Sequence, residues 1–187
     1  MGVDTASKTE LIELLDKAVE NMEMKGCCMA VKDALEHIVA SGKEFVEEHD
    51  MRPAPDKYAR HLLHLDPAGR YSVMAMVWSK GQGTAVHDHA GMWCVECVYR
   101  GKILVTSYSV DKQDGNRFWF TRENEIVAGI GEAGALIPPF DHHTIENPYD
   151  EKAVTIHVYG GEMTWADVFI PDGDSYLKER RTLSYTE

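Results

Sequence analysis

Three histidines carry the most chemical information in this 187-residue chain. Two lie in the run Gly81-Gln82-Gly83-Thr84-Ala85-Val86-His87-Asp88-His89, and the third is His143, far downstream. Side chains alternate faces along a strand, so His87 and His89 are expected to project together while Asp88 points away. Two imidazoles on one face grip a metal. A third from His143 completes a facial set of neutral nitrogen donors with coordination positions left open, the arrangement in which a redox-active iron accepts substrate and oxygen together. Imidazole nitrogens hold nickel, zinc and copper too, so the donor set alone leaves the metal open. Near the end of the chain Thr155, His157 and Tyr159 alternate with Ile156 and Val158, which on a strand sends three polar groups to one face and two aliphatic ones to the other.

Other candidates read more plainly. Cys94-Val95-Glu96-Cys97 has the spacing of a redox or zinc pair, but no second pair accompanies it, and a strand would send the two sulfurs to opposite faces. Trp93 suits a pocket wall or simple packing, and Met74, Met76 and Trp78 read as core. His37, His49, His61 and His64 read as ordinary core or surface histidines.

These groups need a scaffold. Ser7-Lys8-Thr9-Glu10 has the form of a capping box, and Leu11, Leu14, Leu15, Ala18, Val19 and Met22 follow at helical spacing, predicting a helix over about 8–24. Gly26 is expected to interrupt it. Met29, Ala30, Ala34, Leu35, Ile38 and Val39 then mark a second amphipathic helix ending near Gly42, and both helices read as covers for one side of a sheet. Beyond Arg52-Pro53-Ala54-Pro55 the chain turns to short β-rich segments at 71–78, 85–89, 94–99, 103–110, 118–121, 125–128, 135–138, 143–146, 153–159 and 164–170. Many short strands between turn signals predict a mainly β sandwich or closed barrel. One domain is expected, with a helical part over about 1–50, a barrel over about 51–171, and a polar, loosely attached tail over 172–187.

Hydrophobic residues make up 44% and charged residues 27% of the chain, values that suit a folded domain. The net charge of −12 repels phosphate backbones and anionic lipid, so neither nucleic acid nor membrane is an expected partner. No apolar run approaches a membrane span and the amino terminus lacks secretory features, so the expected location is cytoplasmic. The four cysteines, Cys27, Cys28, Cys94 and Cys97, read as reduced thiols. A monomer or small homo-oligomer is expected.

The stretch from Gly81 to His89 matches the first cupin motif, G-x5-H-x-H, and Gly101 falls at that motif's closing glycine. The usual acidic fourth ligand would lie at Cys94. Pro138, His143 and Asn147 match the second motif with Phe140 replacing its glycine, a register that selects His143 over His142. A cupin with three histidines and cysteine for the acid resembles the thiol dioxygenases, and the cysteine dioxygenase family in particular, over roughly residues 50–170. The resemblance implies a cupin jelly-roll barrel with N-terminal helices. It also implies Fe(II) held by His87, His89 and His143, and oxidation of a small thiol carboxylate by O2. Tyr58-Ala59-Arg60 resembles the family's Y-x-R segment, whose arginine holds the substrate carboxylate; the planar fork of Arg60 suits that role, and Tyr58 adds a hydroxyl. Pairing of Arg60 with a surface carboxylate is the alternative.

Thr155, His157 and Tyr159 sit where that family has a Ser-His-Tyr set. Thr155 would orient His157 and His157 would position the Tyr159 phenol, unless they are ordinary hydrogen-bonded strand residues. Cys94 matches the position that in animal enzymes joins the tyrosine through a thioether; a small buried apolar residue is the alternative. Relatives that oxidise 3-mercaptopropionate are similar through His61-Leu62-Leu63-His64-Leu65-Asp66-Pro67 and Val77-Trp78, but carry glutamine where Arg60 stands. Mercaptosuccinate is a further candidate substrate. A non-catalytic cupin that senses a metal or small acid is the reading of a different class.

Overall fold

A computed structural model describes residues 5–21 and 23–186. Met22, expected on the first helix's apolar face, lies outside the described residues. Helix α1 spans Thr5–Ala18 and α2 spans Met24–Ala40, so the two expected helices form, with the break between them falling earlier than Gly26. Glu23 caps α2 by accepting from the backbone N–H groups of Lys25 and Gly26 at 3.1 and 2.6 Å. Gly26 therefore sits inside the first turn of α2 rather than interrupting α1. Ser7 lies within α1 and is buried, so the expected capping box does not form; α1 starts earlier, at Thr5.

Eleven strands follow a short 3-10 turn over Glu48–Met51. They are β1 (Ala59–Leu65), β2 (Ser72–Trp78), β3 (Val86–His87), β4 (Cys94–Arg100), β5 (Lys102–Asp114), β6 (Arg117–Gly129), β7 (Ala133–Leu136), β8 (His143–Glu146), β9 (Ala153–Tyr159), β10 (Trp165–Asp172) and β11 (Ser175–Thr182). The segments expected at 118–121 and 125–128 are one strand, β6, paired along its length with β5 through two bulges. Residues beyond Asp172 are not a loose tail: β11 zips onto β10 from Trp165↔Thr182 to Asp172↔Ser175. Its outer half is exposed, which is why its sequence is polar while its backbone is fully paired.

The strands form a mainly β architecture, with one sheet in the order β1-β2-β9-β4-β7 and a closed barrel of β10-β11-β6-β5-β8-β3. Alternation sorts the side chains of the central strands into two layers. Val73, Ala75 and Val77 of β2, Val95, Cys97 and Tyr99 of β4, and Val154, Ile156 and Val158 of β9 pack in one cluster with Leu11, Leu15, Val31, Leu35 and Ile38 of the helices. The intervening Met74, Met76, Trp78, Cys94, Val98 and Tyr159 belong to a second cluster facing the interior. The helices thus cover one face of the sheet, and the opposite face is left to line a site. Cys94 and Cys97 fall on opposite sides, so they form no pair. No helix among the described residues is long and apolar enough to cross a membrane.

Gly101 makes the one-residue link between β4 and β5. Its φ is +71°, and a Cβ there would lie 2.8 Å from the Lys152 carbonyl oxygen. Both the left-handed backbone and the close approach demand glycine. Gly101→Ala is expected to lower the urea unfolding midpoint by an amount equivalent to at least about 1–2 kcal/mol, measured by equilibrium denaturation.

Candidate metal centre

His87 ends the two-residue strand β3, where it lies directly across from His143 of β8. His89 falls beyond the end of that strand. Its position is set instead by Asp141, whose Oδ2 accepts from the His89 backbone N–H at 3.1 Å and contacts ring Nδ1 at 3.0 Å. Asp88 points away, accepting from the backbone N–H groups of Ala90 and Asp167. The three rings nonetheless converge, with centroids 4.6 to 5.2 Å apart and one nitrogen from each within 4.8 Å of the others. His142 turns outward to stack near Phe120 and Phe169 at 5.3 and 5.2 Å.

The facing Nε2 atoms of His87 and His143 are 3.2 Å apart. Two metal–imidazole bonds of about 2.1 Å at right angles would separate their nitrogens by roughly 3.0 Å, so the pair fits a shared ion. Nδ1 of His87 is held 3.0 Å from the Ala85 carbonyl oxygen, and that of His89 is held by Asp141. Engaging Nδ1 leaves Nε2 unprotonated and available as a ligand. Burial, followed by the neighbouring His89, pushes the His87 imidazole down to about 3. Burial and the adjacent histidines hold His143 and His157 well below the usual value. All three groups are therefore neutral at pH 7, the state a metal requires.

A cavity of about 170 Å³ adjoins this cluster, lined among others by Tyr58, Arg60, Met76, His87, His157 and Tyr159. Arg60 is 5% exposed, and its guanidinium donates to the carbonyl oxygens of Met163 at 3.2 Å and Ser184 at 3.3 Å. Among the described residues no carboxylate pairs with it, so the surface ion pair entertained for Arg60 is absent. The Arg60 backbone N–H donates to Thr186 Oγ1, so residues of the supposedly loose tail build this end of the cavity. Tyr58 stacks on Trp78 at 4.6 Å.

Behind the cluster, the Trp78 indole N–H donates to Thr155 Oγ1 at 2.9 Å, and Thr155 Oγ1 lies 2.8 Å from His157 Nε2. His157 Nδ1 faces the Tyr159 hydroxyl at 3.4 Å and the Cys94 sulfur at 3.9 Å. Cys94 stands opposite Tyr159 across β4 and β9, and burial raises both the thiol and the phenol well above their usual values. Trp93 is no part of this wall; it packs with the helix-facing cluster and against Gly160, where a Cβ would meet its indole at 2.4 Å.

Two carboxylates at the site were not singled out from the sequence. Asp141 carries only a weak signal, an acid two residues before His143. Burial pushes its carboxyl up, but the hydrogen bond and charge of His89 outweigh that and leave it below its usual value. Glu96 was legible by alternation, since it must share the inward face of Cys94 two residues earlier. It is 8% exposed and lies 3.8 Å from His143 Nδ1 and 3.7 Å from His157 Nδ1. Burial lifts its carboxyl to about 8.

Comparison with known proteins places residues 9–168 under the family model for cysteine dioxygenase type I. The chain belongs to the cysteine dioxygenase type I family. Among curated members, human cysteine dioxygenase type 1 is 24% identical over 104 residues, covering 55% of this chain and 50% of the human protein. The rat enzyme is 23% identical over the same shares. The chain thus aligns with about half the length of the curated relatives it matches. Solved structures similar to it include a double-stranded β-helix protein from Klebsiella pneumoniae, with TM-score 0.48 and 16% identity over 62% of this chain and 88% of that one. A Cupin 2 conserved barrel domain protein from Salinispora arenicola gives TM-score 0.43 and 18% identity over 61% and 83%.

The neutral histidines of this family member make its metal-free stability depend on pH. His87, His143 and His157 take up protons on unfolding, so below about pH 6.5 stability falls as pH falls. Glu96 works in reverse: its raised value favours the fold as pH drops from about 8 towards the ordinary carboxyl range. One such group cannot offset three. The urea midpoint of metal-free protein is expected to peak near about pH 6.5 and fall on both sides, and Glu96→Gln should flatten the alkaline arm and steepen the upper part of the acid arm.

Proposed function

We propose that this chain is an iron(II)-dependent thiol dioxygenase that adds both atoms of O2 to the sulfur of a small thiol carboxylate, converting L-cysteine to cysteine sulfinic acid. One observation carries the reading beyond family membership. A buried guanidinium without a carboxylate partner among the described residues lines the same cavity as His87, one of the three clustered histidines. The cavity suits a molecule with an anionic carboxylate at one end and a metal-seeking sulfur at the other.

In this reading His87, His89 and His143 hold the metal. Ferrous iron bound there supplies open positions for thiolate and dioxygen and favours loss of the thiol proton. Arg60 receives the carboxylate. The carbonyls of Met163 and Ser184 fix the guanidinium plane without neutralising it, so its charge is free for the substrate. Tyr58 borders the same end. Tyr159, whose phenol burial keeps protonated, donates its O–H towards the oxygen being transferred, and His157 orients that phenol while Thr155 orients His157. The net reaction, thiol plus O2 to sulfinic acid, draws its electrons from sulfur and needs no organic cofactor.

One observation favours a second substrate. The residues lining the cavity include no carboxylate to receive the ammonium of cysteine, which suits 3-mercaptopropionate, a thiol acid lacking that group. The two are separated by oxygen uptake and product mass for protein reconstituted with ferrous iron, across cysteine, 3-mercaptopropionate and mercaptosuccinate. Cysteine is expected to give the highest kcat/KM, and Arg60→Gln to lower it by about 10- to 100-fold, the loss of a charge-assisted carboxylate contact. A loss confined to cysteine supports the cysteine assignment. No turnover of any small thiol would overturn the enzymatic reading in favour of a binding protein.

A thioether between Cys94 and Tyr159 belongs to the same reading, supported by their facing positions across β4 and β9. Joining sulfur to the ring releases two hydrogens, for which O2 is the oxidant and hydrogen peroxide the product. Protein incubated with iron, thiol and air is expected to lose about 2 Da in intact mass, and Cys94→Ala to lose none; an unchanged mass in the parent would leave Cys94 a packing residue.

A further inference from the structure

Two buried side-chain atoms among the described residues lack a hydrogen-bond partner, Glu96 Oε2 and His143 Nδ1. Glu96 lies between two imidazoles: its Oε1 is 3.8 Å from the orphaned His143 Nδ1, while its orphaned Oε2 is 3.7 Å from His157 Nδ1. Unsatisfied buried polar atoms are rare because each forfeits its hydration. Here each orphan stands just beyond hydrogen-bond distance of a polar atom, His143 Nδ1 opposite Glu96 Oε1 and Glu96 Oε2 opposite His157 Nδ1, so a small shift of one carboxylate would satisfy both.

The other two clustered histidines show what is missing. His87 Nδ1 has the Ala85 carbonyl and His89 Nδ1 has Asp141, each at 3.0 Å. Only His143 lacks such a partner, and Glu96 is the acceptor within reach. No lysine or arginine among the described residues pairs with Glu96. Its other surroundings belong to an apolar cavity of about 210 Å³ lined by Val98, Ile103, Val105, Ala128 and Ile145. A carboxylate buried that way needs compensating positive charge, which a cation held by the neutral histidine cluster would supply.

We propose that Glu96 is a positioning residue that accepts the Nδ1–H of His143 through one carboxylate oxygen and the Nδ1–H of His157 through the other, fixing both tautomers from a single side chain. The first contact turns His143 Nε2 to the metal. The second leaves His157 Nε2 to accept from the Thr155 hydroxyl, which itself accepts from Trp78. Glu96 thereby ties the third metal ligand to the Thr155–His157–Tyr159 relay. The proposal rests on His143 being a metal ligand and deepens the reading above.

Zinc serves as a diamagnetic, turnover-free probe. Zinc affinity is measured by chelator competition, and imidazole tautomers by nitrogen-15 NMR of histidine-labelled protein, for the parent, Glu96→Ala and Glu96→Gln. The parent is expected to show Nδ1–H on both His143 and His157 when zinc is bound. Glu96→Ala is expected to weaken zinc binding by about 10- to 100-fold, as loss of a ligand's outer partner does. The isosteric Glu96→Gln, with one acceptor oxygen for two donors, is expected to lose less affinity but to shift at least one Nδ1–H resonance. Zinc affinities within about threefold of the parent in both variants, against the usual outer-partner loss, together with unchanged imidazole spectra, would overturn the proposal. So would a loss in Glu96→Ala fully restored in Glu96→Gln with unchanged spectra, which is the mark of space filling. Failure of thiol turnover with an intact zinc response would count against the dioxygenase reading and leave this one standing.

Discussion

Packing three imidazoles with their nitrogens within 4.8 Å of one another is tolerable only while all are neutral and their lone pairs aim at a common point. A charge on any one would be buried beside two further imidazoles. Burial opposes that charge, while the partners of the rear nitrogens fix which nitrogen of each ring carries hydrogen. A backbone carbonyl and a buried carboxylate take the rear nitrogens of His87 and His89, and the barrel walls exclude solvent from His143, which is 1% exposed. Across the cavity, the Arg60 guanidinium is met by carbonyl oxygens and, among the described residues, by no carboxylate, so the two ends of the site suit different ends of one ligand.

That exclusion is produced by ordinary strand alternation. In β2, β4 and β9 every second residue is aliphatic and joins the helices in one core, and the residues between them carry sulfur, carboxyl, hydroxyl, imidazole and phenol groups into the interior. The helical cover is what frees the other face for chemistry. Had the helices packed on the inward face, the polar groups of β9 would have been left in an apolar core without partners.

Much of this was legible before any coordinates. The strands at 143–146 and 153–159 have the bounds read from periodicity, because their alternation is strict and their flanks hold turn residues. The convergence of His87, His89 and His143 follows from motif spacing, although His89 is held by Asp141 rather than by a strand, a tertiary contact with no local signature. Strand β1 was missed because His61, Arg60 and His64 break its apolar pattern, and two of those three are buried for reasons of partnership: Arg60 on carbonyls and His61 on the Arg52 carbonyl. Strand β11 was missed because its sequence is polar: the side chains of its outer half are exposed, and what holds it is backbone pairing with β10. The break between α1 and α2 was expected at Gly26 but lies before Met24, since the apolar spacing runs on through it; a glutamate cap, not a glycine, restarts the helix.

Strand β3 is only two residues long, yet it links β10 on one side to β8 on the other and so completes the cylinder. His87 and His143 sit on the two sides of that narrow seam. An ion gripped by both would act as a rivet across the weakest line of the wall, joining with coordinate bonds what the backbone joins with very few hydrogen bonds. Occupancy of the centre and mechanical closure of the cylinder are therefore one equilibrium, and emptying the centre should be felt first as local breathing along β3 rather than as uniform loosening of the whole molecule.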